Sequence, residues 1–554
     1  MHEGGKSVAQ GSGSRAARNN AQSNDGLVVF NPRSKIQNLK SLAAAALSGL
    51  LLVACFPKFH IRGLVWIACL PLLAALAVET RIKRAFLLGY VCGAVFFAGS
   101  CYWFVEVMNL YGHLAPALAV VVLILFVIID ATFFGAFGLA MGWAARRSPG
   151  WALAASPFLW MAMELARTYL ITGFPWNLLG YAVQASGVRQ VATVTGVYGL
   201  SFLAVTTSAL VAWVLLTRRR ARAGLVLAGW VALLLLVQWK FTPPPATVGK
   251  ELAVLIQPNV PLDEAALESW EPWKDPTELQ RLVQFSVEAI HQSPITKAPL
   301  LVWAENPAPF FFTRDPIFRN AMQNLARQTH AIVIGNTVIP VDEKGEAITN
   351  SAFTLDPDGR EISRYDKIHL VPFGEYVPWW ALPGVVHKIT SDVGNFVPGS
   401  NYSVAPASGG GVGVFICYEA IIPQLARRLV ANGAGVLVNI SNDAWYGESA
   451  AAYQHLEMAR LRAVENRRYL LRATNNGLTT IIDPYGRVLE VLPRYQRLAM
   501  PAHFDFFTRL TLYSRYGDVF AWLAAAVGVA MLVIGIRRKE PEVRTQNYEN
   551  STNP

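Results

Sequence analysis

Residues 411–422 read GVGVFICYEAII, and this stretch decides the fold of the polar half of the chain. Its apolar, β-branched beginning predicts a buried strand that ends at Cys417. The amphipathic run 420–430 predicts a helix, although Pro423 falls in its first turn. A cysteine between a strand and a helix N-terminus has amide groups and a helix dipole directed at its sulfur, and both favour the nucleophilic thiolate. Taken alone, such a cysteine is more typical of an apolar core position, so the rest of the sequence must decide its role.

The composition is that of a membrane protein with a water-soluble part. Of the 554 residues, 53% are hydrophobic and only 15% are charged, which is too apolar for one soluble enzyme. The net charge of +11 is attributed to basic cytoplasmic loops and not to nucleic-acid binding. The sequence has no zinc-type Cys/His spacing, no phosphate-binding glycine loop and no basic–aromatic recognition stretch. We therefore expect no metal, no diffusible cofactor and no nucleic-acid partner.

Four of the five cysteines, Cys55, Cys69, Cys92 and Cys101, lie in apolar segments near the N-terminus. Cys417 is the only cysteine of the long polar region, so that region cannot contain an internal disulfide. In an oxidising compartment, such a lone thiol is a candidate reactive group.

Eight apolar segments approach or exceed the roughly 20 residues that cross a bilayer. They lie at 41–56, 63–78, 85–105, 114–144, 150–172, 191–217, 223–239 and 519–536. They predict eight spans, although the first two are short enough to form a tight hairpin instead. Residues 1–32 are rich in Gly, Ser, Ala, Asn and Gln, which predicts a disordered tail and not a cleavable signal.

Basic residues concentrate in every second loop between these segments. The basic groups are Arg33, Lys35 and Lys40; Arg81, Lys83 and Arg84; Arg146 and Arg147; Arg218–Arg222; and Arg537–Lys539. By the positive-inside rule, both termini are expected in the cytoplasm and the region between spans seven and eight on the opposite side, the periplasm of a bacterium with two membranes. The expected division is a cytoplasmic tail at 1–32, a transmembrane bundle at 33–244, a periplasmic domain at 245–510, span eight at 511–540 and a second tail at 541–554.

The outward region alternates short β-like runs with helical patterns, which predicts an α/β sandwich with one sizeable core. The β-like runs are Leu252–Ile256, Leu300–Trp303, Ala331–Ile334, Ala352–Leu355, Val412–Ile416, Val436–Ile440 and Thr479–Ile482. The helical patterns include Glu278–His291, Ile317–Thr329 and Ala452–Asn466.

Two further stretches place a reactive group beside apolar sequence. Residues 299–304 read PLLVWA and lead directly to Glu305. Residues 365–378 read YDKIHLVPFGEYVP and carry Lys367 and Glu375 in a segment with few other charges. A lone carboxylate or lysine is most often a solvated surface charge. A charge that water cannot solvate is expected to have a partner.

A Glu, a Lys and a Cys at three strand ends, in that order, resemble the site of the nitrilase superfamily, the carbon–nitrogen hydrolases. From about residue 40 to about 540, the chain resembles the apolipoprotein N-acyltransferase family, bacterial inner-membrane enzymes that complete lipoprotein acylation. The matching motifs are TGFPWN (172–177), IQPNVP (256–261), LVWAENPAP (301–309), YDKIHLVPFGEYVP (365–378), ICYEAIIP (416–423), NISNDAWYG (439–447) and RATNNGLT (472–479). The combination of these motifs with the predicted topology is far more specific than any single residue.

The resemblance implies a polytopic α-helical membrane bundle that carries an extracytoplasmic αββα sandwich. It also implies roles that the chemistry of the residues permits. Cys417 is the nucleophile that forms a thioester, Glu305 is the general base and Lys367 stabilises the oxyanion together with amides after Cys417. Glu375 is a second carboxylate that orders Lys367 or the base.

Other site residues follow from the same motifs. Tyr418 and Glu419 flank the nucleophile and shape its pocket. Substrate-binding positions are expected at Asn442, Trp445, Trp176 and a lid tryptophan. For the lid, Trp270 is favoured over Trp273, although the spacing after the IQPNVP motif does not decide between them.

Two pairs of residues are each open to two interpretations of their role. Trp379 and Trp380 are suited either to helping a lipid leave the bilayer or to ordinary anchoring at the membrane interface. Glu164 and Arg167 are three residues apart on one predicted helix and serve either as a tether or in lipid-headgroup binding.

The implied acyl donor is a membrane phospholipid, and the implied acceptor is the α-amino group of the N-terminal S-diacylglyceryl-cysteine of an apolipoprotein. The resemblance thus predicts ping-pong kinetics in a multi-pass inner-membrane enzyme, which we expect to be a monomer. One alternative is a membrane-tethered nitrilase-type amidase that acts on a small amide. Another is a non-catalytic scaffold in which Cys417 is structural.

Overall fold

A computed structural model describes residues 32–110, 114–260, 275–293, 298–305, 310–342, 347–376 and 395–537. Several predictions fall outside these residues. They are the disordered tail at 1–32 except for its last residue, the tail at 541–554, both lid candidates Trp270 and Trp273, and the tryptophans Trp379 and Trp380.

The N-terminal part is helical. Its helices are α1 (Pro32–Cys55), α2 (Leu70–Ala77), α3 (Ile82–Ser100), α4 (Trp103–Leu110), α5 (Pro116–Ala145), α6 (Pro149–Tyr169), α7 (Ser186–Arg189), α8 (Ala192–Leu216) and α9 (Arg220–Lys240). Among the described residues, five helices are long and apolar enough to cross a membrane: Ile36–Cys55, Ile82–Ser100, Pro116–Ala145, Ala192–Leu216 and Arg220–Lys240. Leu64–Ala77 and Val519–Gly535 are apolar but shorter. The chain is a membrane protein, but the predicted count of eight spans is not confirmed.

Small residues allow α3 and α5 to pack closely. A Cβ added at Gly89 would lie 2.1 Å from the Phe134 carbonyl oxygen, and one at Gly138 would lie 2.2 Å from that of Ala85. Such small-residue contacts are typical of helices that associate within a membrane.

Glu164 and Arg167 are buried on α6, and both contact the segment that follows this helix. Glu164 Oε1 accepts hydrogen bonds from Trp160 Nε1 at 3.0 Å and from the Leu179 amide at 2.9 Å. Arg167 Nη2 donates to the Trp176 carbonyl at 2.9 Å. These contacts favour the interpretation of the two charges as a tether.

The C-terminal part contains two sheets. Their strands are β1 (Glu251–Gln257), β2 (Leu300–Trp303), β3 (Ile332–Pro340), β4 (Ala347–Leu355), β5 (Glu361–Asp366), β6 (Asn395–Phe396), β7 (Val404–Ala407), β8 (Gly410–Ile416), β9 (Ala434–Ser441), β10 (Leu470–Thr474), β11 (Thr480–Ile482), β12 (Val488–Val491) and β13 (Leu498–Phe504). One sheet has the order β13-β1-β2-β3-β4-β5, with β6 beside β4, and the other has the order β12-β11-β10-β9-β8-β7. The central strands β1-β2-β3 and β8-β9-β10 are parallel.

The remaining helices are α10 (Thr277–His291), α11 (Pro316–Thr329), α12 (Pro423–Ala431), α13 (Ala451–Asn466), α14 (Leu512–Tyr516) and α15 (Val519–Arg537). Alternate residues of β1 face different layers, as the period of a strand requires. Ala253 and Leu255 join a core with β8, β9 and β10 of the other sheet, whereas Val254 and Ile256 join a core with α10 and α11. The layers are therefore helix, sheet, sheet and helix, which confirms the predicted αββα sandwich.

The segment after Cys417 differs from its prediction. A 3-10 helix covers Cys417–Ile421, and α12 begins only at Pro423. Proline suits the first position of a helix because its missing N–H would have no partner there. The predicted helix over 420–430 is thus correct in type but begins three residues late.

Candidate active site

Three side chains predicted at strand ends come together on the sandwich. Glu305 follows β2, Lys367 follows β5 and Cys417 follows β8, and all three are buried. Lys367 Nζ lies 3.7 Å from Glu305 Oε1. Both groups also act electrostatically on the Cys417 thiol, Glu305 raising its pKa and Lys367 lowering it. The structure therefore contains a compact Glu–Lys–Cys set.

Lys367 is held by two carboxylates. Its ammonium lies 2.8 Å from Glu375 Oε1 as well as 3.7 Å from Glu305. Burial alone would lower the pKa of Lys367, but Glu375 and then Glu305 raise it above the ordinary lysine value. Lys367 is consequently a buried ammonium whose charged form is favoured by two carboxylates.

Asn350 joins the two carboxylates and was missed by sequence reasoning. Its Nδ2 donates to Glu305 Oε1 at 2.9 Å and to Glu375 Oε1 at 3.1 Å. The available signal was a polar pair, Asn350-Ser351, in the interior of the run that forms β4. A buried amide in a strand needs partners, and here those partners are the site carboxylates.

Asn442 contacts the second oxygen of Glu305 through its main chain. The Asn442 amide donates to Glu305 Oε2 at 3.0 Å. The side-chain oxygen of Asn442 accepts from the Ala444 amide at 3.3 Å and from Asn475 Nδ2 at 3.2 Å. Trp445 lies in the 3-10 turn Asp443–Tyr446 beside this loop and is half-buried. Together with Asn350, this loop fixes the orientation of the Glu305 carboxylate.

Cys417 has an unusual backbone conformation and a thiol whose pKa is raised. Its φ of 50° lies in the left-handed region that residues other than glycine rarely adopt. Burial, with a further contribution from Glu305, raises the pKa of the Cys417 thiol to about 12. The expected thiolate is therefore wrong for the free site, because α12 begins six residues later and desolvation outweighs Lys367. The thiol needs a base at the moment of attack.

Glu419 organises the segments on either side of Cys417. Its carboxylate is fully buried, and burial raises its pKa to about 7. Four donors surround it: Tyr365 OH at 2.8 Å and the amides of Ile368 at 2.7 Å, His369 at 3.0 Å and Ile416 at 2.8 Å. Glu419 thus ties the end of β8 to the residues just after Lys367.

Tyr418 and Trp176 lie where the helical part meets the sandwich. Tyr418 OH donates to the Gly173 carbonyl at 3.5 Å. Trp176 is 1% exposed, and its Nε1 donates to Gln454 Oε1 at 2.7 Å. Gln454 in turn donates to the carbonyls of Pro57 at 2.8 Å and Ser100 at 3.1 Å. The predicted substrate-binding Trp176 is thus packed at this junction.

Within the described parts of the chain, no three His, Cys, Asp or Glu side chains lie together in a way that could hold a metal ion. The chemistry available at the site is that of a thiol, a carboxylate base and a fixed cation. This set can carry out acyl transfer through a covalent intermediate.

Comparison with known proteins first identifies the class. Residues 255–502 match the carbon–nitrogen hydrolase family, and residues 48–210 match the apolipoprotein N-acyltransferase N-terminal domain. The solved structure of Saccharomyces cerevisiae Nit3, a member of the nitrilase superfamily, is 21% identical with a TM-score of 0.35, covering 48% of this chain and 93% of that one.

Full-length relatives then identify the family. An apolipoprotein N-acyltransferase of Geobacter metallireducens is 36% identical over 507 residues, which are 89% of this chain and 95% of that protein. One of Methylococcus capsulatus is 31% identical over 90% of this chain and 96% of its own length. The chain belongs to the apolipoprotein N-acyltransferase family, a family of acyltransferases.

Proposed function

We propose that this protein transfers a fatty acyl chain from a membrane phospholipid to the α-amino group of the N-terminal S-diacylglyceryl-cysteine of apolipoproteins, through a thioester on Cys417. The observation that carries the proposal is the buried set of Cys417, Glu305 and Lys367. It lies in a chain related over nearly its whole length to acyltransferases of that name.

In the first half-reaction, Glu305 takes the proton of the Cys417 thiol as Sγ attacks the ester carbonyl carbon of the phospholipid. The carbonyl oxygen becomes an oxyanion, stabilised by the Lys367 ammonium and the amide of Tyr418. The carbon–oxygen bond to glycerol then breaks, and Glu305 returns the proton to the leaving alkoxide. The products are a lysophospholipid and the Cys417 thioester.

In the second half-reaction, the α-amine of the acceptor attacks the thioester carbon and gives a proton to Glu305. The tetrahedral intermediate again forms beside Lys367, the carbon–sulfur bond breaks, and Glu305 protonates the departing Cys417 sulfur. The product is an amide, and the enzyme returns to its starting state. Because the lysophospholipid leaves before the acceptor reacts with the acyl-enzyme, the kinetics should be ping-pong.

The roles of the surrounding residues follow from their contacts. Glu375 holds Lys367, and Glu419 and Tyr418 hold the turn of the nucleophile. Asn442 and Trp445 border the base and contact substrate in this proposal. The buried Nδ2 of Asn442 has no hydrogen-bond partner within the described residues, so it is available as a donor to the substrate.

Two further substrate contacts are proposed. Trp270 is assigned to a lid over the acyl chain and lies outside the described residues. Trp176 contributes from the junction, where its ring meets that of Tyr446 edge-on with centroids 5.9 Å apart.

The membrane bundle serves the same reaction. Moving an acyl chain into water costs about 0.8 kcal/mol per CH₂, so both lipid-anchored substrates must stay at the bilayer. We infer that the catalytic domain, 245–510, lies in the periplasm between the bundle at 33–244 and a last span at 511–540. Both tails, 1–32 and 541–554, are assigned to the cytoplasm, and the protein acts as a monomer in the bacterial inner membrane.

Mass spectrometry of the purified protein after incubation with phospholipid tests the proposal. The expected result is an acyl mass on the peptide containing Cys417, lost in Cys417→Ser, followed by N-acylation when a diacylglyceryl peptide is added. A Cys417→Ser variant with unchanged activity would support the scaffold alternative. Release of free fatty acid alone, with no N-acyl peptide, would support the amidase alternative and refute acyl transfer.

The roles of the base and the cation are tested by acyl-enzyme formation. Glu305→Gln and Lys367→Ala should each block the appearance of the thioester. A matched control is Glu361→Gln, which removes an exposed carboxylate from the strand that leads to Lys367. A variant of Glu305 or Lys367 that still accumulates thioester at the control rate would show that its role is assigned to the wrong step.

A further inference from the structure

We propose that His455 is a positioning residue that orients the peptide group between Cys417 and Tyr418, and with it the amide that stabilises the oxyanion. This inference rests on the proposed role of Cys417 as nucleophile. His455 lies on α13, outside the Glu–Lys–Cys set, and the motifs of the sequence assign it no role.

The imidazole reaches the main chain of the nucleophile directly. His455 is fully buried, and its Nε2 lies 3.1 Å from the Cys417 carbonyl oxygen. A carbonyl oxygen only accepts hydrogen bonds, so Nε2 carries the proton and donates it. The contact with the Cys417 carbonyl therefore determines that Nε2 of His455 carries a proton.

The other side of the ring is held by a buried ion pair. Arg472 Nη2 lies 2.8 Å from both carboxylate oxygens of Asp443 and 3.1 Å from His455 Nδ1. Burial lowers the pKa of His455 and Arg472 lowers it further, whereas Asp443, whose Oδ1 lies 3.3 Å from Nδ1, raises it. The Trp176 ring lies nearly parallel to the imidazole, with centroids 5.9 Å apart and an interplanar angle of 24°. Both polar ends and one face of the ring are thus constrained.

Peptide planarity transmits this constraint to the oxyanion site. The Cys417 carbonyl and the Tyr418 N–H belong to one planar unit and point in opposite directions. A donor that fixes the carbonyl on the His455 side therefore fixes the N–H on the opposite side. Cys417 needs such a constraint because its φ of 50° is disfavoured for an L residue.

The same buried network also reaches the side chain of the nucleophile. Ser441, whose Oγ lies 2.9 Å from Asp443 Oδ1, lowers the pKa of the Cys417 thiol. Asp443 and Arg472 thus hold both Ser441 and His455, of which the first acts on the thiol and the second contacts the carbonyl of the same residue. A network that only stabilised the fold would not need to act on both the thiol and the carbonyl of one cysteine.

Two substitutions separate positioning from packing. His455→Phe keeps a flat ring but removes the donor, whereas His455→Gln places an amide N–H₂ near the original Nε2. Met458→Ala is the control, since Met458 is buried on α13 one turn from His455 and makes no polar contact with the described residues of the site. Each variant is assayed as the full chain by two reactions of Cys417, acylation by phospholipid and alkylation by iodoacetamide, both followed by mass spectrometry of the Cys417 peptide.

The two reactions differ in their need for the Tyr418 amide. Acylation passes through an oxyanion, whereas alkylation forms the sulfur–carbon bond as iodide leaves and creates no oxyanion. We expect His455→Phe to slow acylation by about 10- to 100-fold, the effect of a misplaced reacting group, while alkylation of Cys417 keeps nearly the wild-type rate. His455→Gln should recover most of the acylation rate, and Met458→Ala should lower the unfolding temperature without slowing acylation.

The inference would be overturned if His455→Phe acylated at the wild-type rate, or if acylation and alkylation fell together in both His455 variants, as a structural collapse requires. A wild-type protein that forms no acyl-enzyme on Cys417 would instead refute the proposed function, and this inference with it. The comparison of wild type with variants therefore distinguishes the two failures.

Discussion

Glu375→Gln tests the buried charge network with a change of charge and almost no change of shape. Lys367 Nζ lies 2.8 Å from Glu375 Oε1, with side chains only 1% and 12% exposed. At that distance and an effective dielectric constant of about 20, the attraction is about 6 kcal/mol. Desolvation offsets part of this, and breaking a buried pair by removing one partner typically costs about 3–5 kcal/mol. For a domain of this size, that loss corresponds to a fall of about 10 °C in the unfolding midpoint.

The assay is thermal unfolding of the full chain in detergent, followed by tryptophan fluorescence. The matched control is Asp358→Asn, which removes one partner of an exposed pair whose closest atoms are 3.3 Å apart and whose side chains are 76% and 69% exposed. Such pairs contribute about 1 kcal/mol or less, so the control should move the midpoint by no more than a few degrees.

The sign of the pH dependence gives a second check. Because Glu375 and Glu305 raise the pKa of Lys367 above its ordinary value, the stability from the pair is fully present below the unfolded lysine pKa. It is lost only as the pH rises through the raised value. The difference between Glu375→Gln and wild type should therefore be the same at about pH 6 and about pH 9. A Glu375→Gln midpoint that matches the Asp358→Asn midpoint would refute the pair as a source of stability.

Three further outcomes are expected. Asn350→Leu removes the amide that hydrogen-bonds to both site carboxylates, so the free energy of unfolding should fall by about 3 kcal/mol. Acyl-enzyme formation, followed over time, should also be slower, and an unchanged rate would contradict the shared contact. The ultraviolet difference spectrum between wild type and Cys417→Ser should show no thiolate between about pH 6 and pH 9, because burial raises the pKa of Cys417 to about 12; a thiolate signal near neutrality would contradict this. Gln454→Leu leaves the Trp176 N–H without its acceptor, so the thermal midpoint should fall by several degrees, and an unchanged midpoint would show that the junction does not depend on this bond.

Most central strands could be predicted because they are apolar runs buried on both faces, although β10 (Leu470–Thr474), between β9 and β11, matches none of the predicted runs. The edge strands could not. β12 is exposed along its whole length, and β5 carries Glu361, Arg364 and Asp366. Charges on edge strands discourage aggregation, but in a single sequence they resemble loops. Lys367 was therefore expected at a strand end although no predicted β-like run corresponds to β5, the strand that precedes it.

The partners of the site residues could not be predicted for a different reason. Ser351 pairs with Asp366 across β4 and β5, so Asn350 lies opposite Lys367, whose amide donates to the Asn350 carbonyl at 2.8 Å. This register is a tertiary property that neither segment encodes alone. Likewise, the thiolate was expected because a helix N-terminus was predicted just after Cys417. The desolvation that raises the pKa of the thiol depends instead on all the residues packed around it.

The contacts of the turn that carries Cys417 argue against two independent parts joined by a linker. Tyr418 and Ile421 belong to the same apolar cluster as the core of the helical bundle, as do Met458 and Val464 of α13. Tyr181 OH, from the bundle side, lies 3.5 Å from the Ile421 carbonyl. The turn that carries Cys417 is thus packed by the bundle on one face and held by Glu419 on the other. A site built in this way has its geometry set partly by membrane helices, which suits a reaction whose substrates both arrive from the bilayer.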